Sequence, residues 1–400
     1  MTDGAPERRT LRDLLLETGV MTPDWVQAYD AVPRALFLPE MMWPSVEGRD
    51  SAVSAVGDFA EWRRWADSDA PIVTQWDDGP HSGATRGTLP TSSSSMPSVV
   101  FSMFRDLSVF DGAKVLEVGT GTGWCAGLLS ARLGERDVVS VEIDEAVADQ
   151  ARKTLAAAGW HPEVVTGDGL LGWPDRAPYD RILVTAAVRE VPRAWIDQCR
   201  PGAVLVMPWG TRYTDQDAIV RLVVADDGAA SGRFTVPARF MQVRSERLEW
   251  PEQSDYIPDD GWPADTRESV TALTSPAVLP DDADFAAADF MTGLLVPDCV
   301  YTSGRDPYGR LAMWLFGLTD LSWAATFFRE DGSADSRVYQ GGPRSLWDEV
   351  EAAHRWWDER GRPGHEKFGL TVTTDGRQRV WLGDPSNVVS HTTAEPGQRW

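Results

Sequence analysis

The segment Glu117-Val-Gly119-Thr120-Gly121-Thr122-Gly123 has the composition of a ligand cradle. It follows a short apolar run, Val115 to Val118, and leads into helical spacing from Gly123 to Leu133. Glycines in such a place let the backbone turn tightly and approach a ligand with no side chain in the way. Glu142 closes the next apolar run, 19 residues past Gly123. A carboxylate there can accept hydrogen bonds from both hydroxyls of a ribose. Gly167-Asp168-Gly169 closes the third run, where a carboxylate can hold an adenine amino group. Alone, the glycine pattern also fits a dinucleotide enzyme or a turn that binds nothing, and Asp-Gly is equally a plain turn. Glu117 weighs against a dinucleotide. At a strand end it repels pyrophosphate and suits the cationic methionine moiety of S-adenosylmethionine. The expected contacts of that cofactor, and of its product S-adenosylhomocysteine, are Glu117, Gly119, Thr120, Gly121, Thr122, Gly123, Glu142, Ile143, Gly167, Asp168, Gly169 and Thr185.

Positioning these residues requires alternating strands and helices. Val138–Ile143, Val164–Thr166, Arg181–Thr185 and Ala203–Pro208 read as further strands, and Glu145–Gly159 as a helix ending on glycine. This rhythm predicts an α/β fold with a doubly wound, mostly parallel sheet. Residues 10–18 read as a short amphipathic helix, and Thr22-Pro23 starts a second helix that ends near Pro33. Residues 41–95 read as an irregular connection, a common home for binding loops. Residues 218–225 and 233–243 read as a hairpin. Residues 248–265 read as a linker rich in Trp, Pro and Asp. Beyond it, Met313–Phe328 alternates as a strand, Ser345–Arg360 has helical spacing, and Thr374-Asp375-Gly376 joins a hairpin. The expected division is 1–95 (N-terminal helices and a substrate-side insertion), 96–247 (cofactor-binding core), 248–265 (linker) and 266–400 (a smaller C-terminal α+β domain). The last ten residues read as loose.

The chain has 400 residues, 42% hydrophobic and 25% charged, with a net charge of −23. Such an acidic surface makes nucleic acid and membrane poor partners. No apolar run is long enough to span a bilayer, and Met1–Arg9 has no apolar signal core. Three widely spaced cysteines, Cys125, Cys199 and Cys299, argue against a disulfide framework and for a reducing cytoplasm. The five histidines are scattered, so no metal site is expected. The 19 tryptophans read mainly as core or groove walls.

Longer motifs point to a family. They are Val32-Pro-Arg-Ala-Leu-Phe-Leu-Pro39, Leu116 to Trp124, and Gly167 to Asp180 with the following Arg181 to Ala187. Val191-Pro192, Pro201-Gly202 and Met207-Pro208 follow in order. Over roughly residues 10–244 the chain resembles protein-L-isoaspartate O-methyltransferase, although Trp124 stands where that family usually has tyrosine. The resemblance implies a Rossmann-like class I methyltransferase fold and a carboxylate acceptor. It also implies that a Ser-x-Pro element before the first core strand faces the methyl donor. Here that element is Ser95-Met96-Pro97, which makes Ser95 the expected active-site serine and Ser94 a weaker candidate. Read without the resemblance, this serine run is a loop or a helix cap.

The segment from Glu40 to Pro90 is longer than the family's, and the chain continues well past the core sheet. Both features resemble a branch that methylates an aspartate in ribosomally made modified peptides (lanthipeptides, lasso peptides, graspetides), leading to aspartimide or isoaspartate. The implied partner is then a modified precursor peptide. A repair enzyme acting on isoaspartate in damaged proteins is the second reading. A non-catalytic peptide-binding module that kept the fold is the third. The oligomeric state is not legible.

Overall fold

The computed structural model describes residues 10–46, 48–250, 252–258, 261–279, 286–306, 308–329 and 335–392. The readings on Met1–Arg9 and on the chain's last residues lie outside the described residues, apart from strand backbone up to Thr392. The chain divides into two compact units. One comprises the residues up to Ala186, Pro192–Met207 and Arg221–Ala230; the other comprises Ala187–Val191, Pro208–Val220 and Ser231 onward. This differs from the sequence-based boundaries at 95 and 247, because the N-terminal segment shares a unit with the glycine loop.

In the first unit, α1 (Leu11–Glu17) begins at a capping box. The Thr10 hydroxyl accepts from the Asp13 amide at 3.2 Å, while Asp13 accepts from the Thr10 amide at 3.3 Å. A 3-10 turn at Pro23–Trp25 leads into α2 (Val26–Ala31). The expected irregular connection is in fact structured. Strands β1 (Met41–Pro44), β2 (Val53–Ser54), β3 (Ile72–Trp76) and β4 (Pro90–Ser94) form an antiparallel sheet in the order β2-β1-β3-β4, with α3 (Phe59–Ala66) alongside. Leu38, Met42, Val53, Trp62, Ala66 and Ile72 make its core. The register slips around Gln75, which breaks the two-residue alternation by which strands are read in a sequence.

α4 (Pro97–Leu107) starts with proline at its first position and buries Val100, Phe101, Phe104 and Leu107. Then come β5 (Val115–Val118), α5 (Trp124–Leu133), β6 (Val138–Glu142), α6 (Glu145–Ala157), β7 (Glu163–Thr166), β8 (Tyr179–Val184), α7 (Arg193–Asp197) and β9 (Cys199–Trp209). The core strands lie in the order β9-β8-β5-β6-β7, all parallel. β5 and β6 are buried at every position, as strands covered on both faces must be. The chain winds outward from β5 to β7 and then returns to β8 on the other side of β5. That reversal opens a crevice at the C-terminal ends of the strands, where the glycine loop lies.

Next in the chain are β10 (Asp217–Val224), β11 (Ala230–Ala238) and the single-turn helices α8 (Gln253–Tyr256) and α9 (Ser275–Val278). In the second unit, β12 (Arg267–Thr271), β13 (Cys299–Arg305), β14 (Leu311–Gly317), β15 (Trp323–Phe327) and β16 (Ser336–Gly341) form an antiparallel sheet in the order β12-β16-β15-β14-β13. α11 (Leu346–Glu359) packs on it and on α10 (Ala287–Leu295). β17 (Phe368–Val372), β18 (Gln378–Leu382) and β19 (Val388–Thr392) make an antiparallel meander. Two expectations are corrected here. The single strand read over Met313–Phe328 is two, because the chain turns through Leu321 at φ +54°. The segment read as a linker holds the short helix Gln253–Tyr256. Its Tyr256 hydroxyl donates to the Gly317 carbonyl at 2.9 Å, and Trp262 stacks on Tyr339 at 4.8 Å. It packs on the sheet instead of bridging solvent.

Candidate active site

The glycine loop is shaped for close approach. Gly119, Gly121 and Gly123 sit at φ +96°, +53° and +87°, values that L side chains rarely adopt. A Cβ on Gly119 would stand 2.7 Å from Thr185 Oγ1, and one on Gly121 would stand 3.3 Å from the Ser93 carbonyl oxygen. The second contact places the serine strand β4 directly against the loop.

The carboxylates surround this loop. Glu142, at the end of β6, accepts from the Gly121 amide at 2.9 Å through Oε2 and from the Asp144 amide at 3.1 Å through Oε1. Asp144 caps α6 by accepting from the amides of Ala146 and Val147. Ile143 between them is 48% exposed, an apolar surface open to a planar ligand. Asp168 is exposed and accepts from the Leu170 amide at 3.0 Å. A Cβ on Gly169 would meet Val118 Cγ1 at 2.5 Å, whereas Gly167 has open space around it. Thr185 donates to the Gly119 carbonyl at 2.6 Å and so ties β8 to the loop.

Glu117 is completely buried. Its Oε2 accepts from Ser140 at 2.5 Å, and Ser140 shares a 2.6 Å bond with Thr120. Its Oε1 has no hydrogen-bond partner among the described residues. Burial pushes this carboxyl up to about 8; the neighbouring Glu142 charge adds to the rise and the Ser140 bond opposes it. A buried acid with an unmatched oxygen beside a glycine cradle fits the cationic end of S-adenosylmethionine, so the residues present suit the cofactor.

That carboxyl links pH to stability. In the folded chain the proton stays on up to about pH 8, while the unfolded chain releases it near 4.5. Between those values the folded state holds the extra proton, so stability falls as pH rises, by at most about 1.4 kcal/mol per pH unit. Glu117→Gln lacks this dependence. The gap between variant and parent in urea unfolding is therefore expected to move in the variant's favour from pH 5 to pH 8. Parallel pH curves for the two proteins would contradict the assignment.

The two candidate serines differ. Ser94 is buried, and its hydroxyl accepts from Arg34 Nε at 2.9 Å. Ser95 is half-buried, and its hydroxyl makes no hydrogen bond among the described residues. Sequence reasoning missed Arg34 as a site residue; its partners lie 34 to 61 positions away. The Trp124 departure also has a physical account. Its indole N–H donates to the Val32 carbonyl at 3.0 Å, and its ring faces the Arg34 guanidinium at 5.6 Å. A cavity of ≈ 250 Å³ adjoins the loop from the α6 side, lined in part by Phe37, Leu38, Gln75, Gly121 and Thr122. Glu117, Glu142 and Asp168 do not line it.

In the second unit, Arg189 and Asp217 form a buried pair at 2.7 Å. Burial raises Asp217 to about 7 against the pull of Arg189. No sequence spacing announced this pair.

Comparison with known proteins agrees with this geometry. The family model for protein-L-isoaspartate(D-aspartate) O-methyltransferase matches residues 69–248. The protein-L-isoaspartate O-methyltransferase of Gloeobacter violaceus is 38% identical over 154 residues, covering 38% of this chain and 73% of that one. Its namesake in Hyperthermus butylicus is 31% identical over 250 residues, covering 60% and 89%. The chain belongs to the protein-L-isoaspartate O-methyltransferase family. It is accordingly an S-adenosylmethionine-dependent methyltransferase, and the non-catalytic reading falls. A solved protein-L-isoaspartate O-methyltransferase has a similar fold, with TM-score 0.52 at 21% identity, covering 94% of this chain and 99% of that one. The residues beyond the core sheet thus have a structural counterpart in a protein bearing only the family's name.

Proposed function

We propose that this enzyme methylates the side-chain carboxylate of an aspartate in a ribosomally made, modified peptide, with Ser95 holding the acceptor. The observation that carries the acceptor site is the Ser95 hydroxyl, half-buried and unmatched, at the end of a strand that touches Gly121. The N-terminal layer bearing that strand supports a peptide ligand. It displays Leu36 at 56%, Val56 at 80% and Phe59 at 63% exposure, apolar side chains that a peptide could cover.

The chemistry needs little from the protein. Glu117, Gly119, Gly121, Glu142 and Asp168 hold the donor, which when bound supplies an electrophilic methyl group on a sulfonium. The acceptor carboxylate has a reference pKa of about 4 and is already ionised at neutral pH, so no general base is required. Ser95 donates to one carboxylate oxygen and leaves the other free for in-line attack. Alignment and exclusion of water supply the rate. In the methyl ester, the following backbone nitrogen can attack the ester carbon. Its proton leaves with methoxide as methanol, and an aspartimide ring remains. Hydrolysis of that ring gives aspartate and isoaspartate linkages. The three cysteines, all unpaired, suit the proposed cytoplasmic setting.

A second reading, methylation of isoaspartate in damaged proteins, is favoured by the names of the curated relatives. A peptide panel separates the two. The purified enzyme is given S-adenosylmethionine with a linear isoaspartyl peptide, its aspartyl twin, or a cyclised precursor containing aspartate. Tailoring predicts methylation of the cyclised aspartyl peptide alone. Methylation of the linear isoaspartyl peptide alone makes the chain a repair enzyme.

A further inference from the structure

Arg34 is buried in the N-terminal layer, 5% exposed, in the 3-10 turn Arg34–Phe37. Its guanidinium donates from all three nitrogens. Nε donates to Ser94 Oγ at 2.9 Å, and Nη1 donates to the Ser68 carbonyl at 3.1 Å. Nη2 donates to the carbonyls of Ala70, Ser94 and Ser95 at 2.9, 2.9 and 3.0 Å. Every one of these acceptors is a neutral oxygen. Asp69 and Asp67 act on the group only through space. Burial lowers the guanidinium to about 10, which still leaves it charged at neutral pH. Arg34 has no ion-pair partner among the described residues, and a buried cation so placed is costly. A chain that keeps one has placed positive charge directly beneath the last residues of β4.

We propose that Arg34 is a positioning residue for methyl transfer: it fixes the Ser94–Ser95 backbone that presents the Ser95 hydroxyl, and its unpaired charge draws the acceptor carboxylate to that end of the strand. The inference rests on the reading that Ser95 faces the acceptor. The fork geometry matters because three contacts converge on Ser94 and Ser95 from two nitrogens of one plane. A lysine brings the charge and cannot reproduce that fork. Trp124 supports the arrangement by anchoring Val32 and facing the guanidinium.

Two variants separate the roles. Arg34→Lys keeps the charge and is expected to lower kcat about tenfold while the acceptor KM stays near that of the parent. Arg34→Met removes the charge as well and is expected to raise the acceptor KM about tenfold on top of the same loss in kcat. S-adenosylhomocysteine affinity, measured by calorimetry, stays unchanged in both. If Arg34→Met does not fold, Arg34→Gln, which also removes the charge, takes its place and is expected to show the same rise in acceptor KM. An Arg34→Lys enzyme with parental kcat overturns the proposal, as does a parallel loss of S-adenosylhomocysteine affinity, which would mark a general distortion. Ser95→Ala run beside them tells the two ideas apart. Slow turnover in Ser95→Ala with normal Arg34→Lys removes only the Arg34 inference, whereas normal turnover in Ser95→Ala removes the reading on which it rests.

Discussion

Replacing Ser95 with alanine is expected to slow methyl transfer by about two orders of magnitude, with binding of S-adenosylhomocysteine unchanged. The size follows from losing one preorganised donor aimed at a reacting oxygen. The separation of effects follows from position. The Ser95 hydroxyl has no hydrogen bond to lose among the described residues, so its removal leaves the fold and the glycine loop intact. Ser94→Ala is the contrasting control. It leaves Arg34 Nε without its acceptor in a buried place, so its expected effect is a loss of stability of about 1–3 kcal/mol, seen in urea unfolding. Initial rates with saturating donor, together with calorimetric titration of S-adenosylhomocysteine, check both variants. If donor affinity collapses in Ser95→Ala, the serine has another role.

The second large effect concerns Glu142. Its alanine variant is expected to bind S-adenosylhomocysteine about ten- to a hundredfold more weakly, the equivalent of about 1.5–3 kcal/mol for hydrogen bonds to a charged group. Two features support this range. The carboxylate is held by the amides of Gly121 and Asp144, so its direction is set before any ligand arrives. It also steadies Gly121, whose backbone stands against β4. The loss thus combines a missing ribose contact with a loosened loop. Glu142→Gln keeps one oxygen and the shape, and should recover part of the affinity. Unchanged affinity in the alanine variant would mean that the end of β6 does not meet the ribose.

The parallel core was legible in the sequence because its strands are buried on both faces and read as plain apolar runs. Its turns carry glycines where the backbone needs positive φ. Glu117, Gly119, Gly121, Glu142 and Asp168 therefore came out in the right order at the ends of consecutive strands. The N-terminal layer did not. β3 and β4 pair through a slipped register around Gln75, and β4 is largely serine, so neither alternation nor β-propensity marked them. The turn at Leu321 was hidden because a non-glycine residue adopts a positive φ there. Trp262 looked like part of a linker because its stacking partners lie far along the chain, at Trp323 and Tyr339. The same distance concealed Arg34: nothing local to Pro33-Arg34-Ala35 reveals that its fork closes on Ser94 and Ser95. The sequence located the glycine loop, and only the fold showed how the serine strand is held against it.

The most direct test of the account is where the methyl group goes. Peptide methylated by the purified enzyme should be analysed by tandem mass spectrometry before and after mild alkali. The account predicts one added methyl on a side-chain carboxylate, lost as methanol with formation of an aspartimide. A methyl group that resides on nitrogen, sulfur or a hydroxyl, and survives alkali, would contradict it.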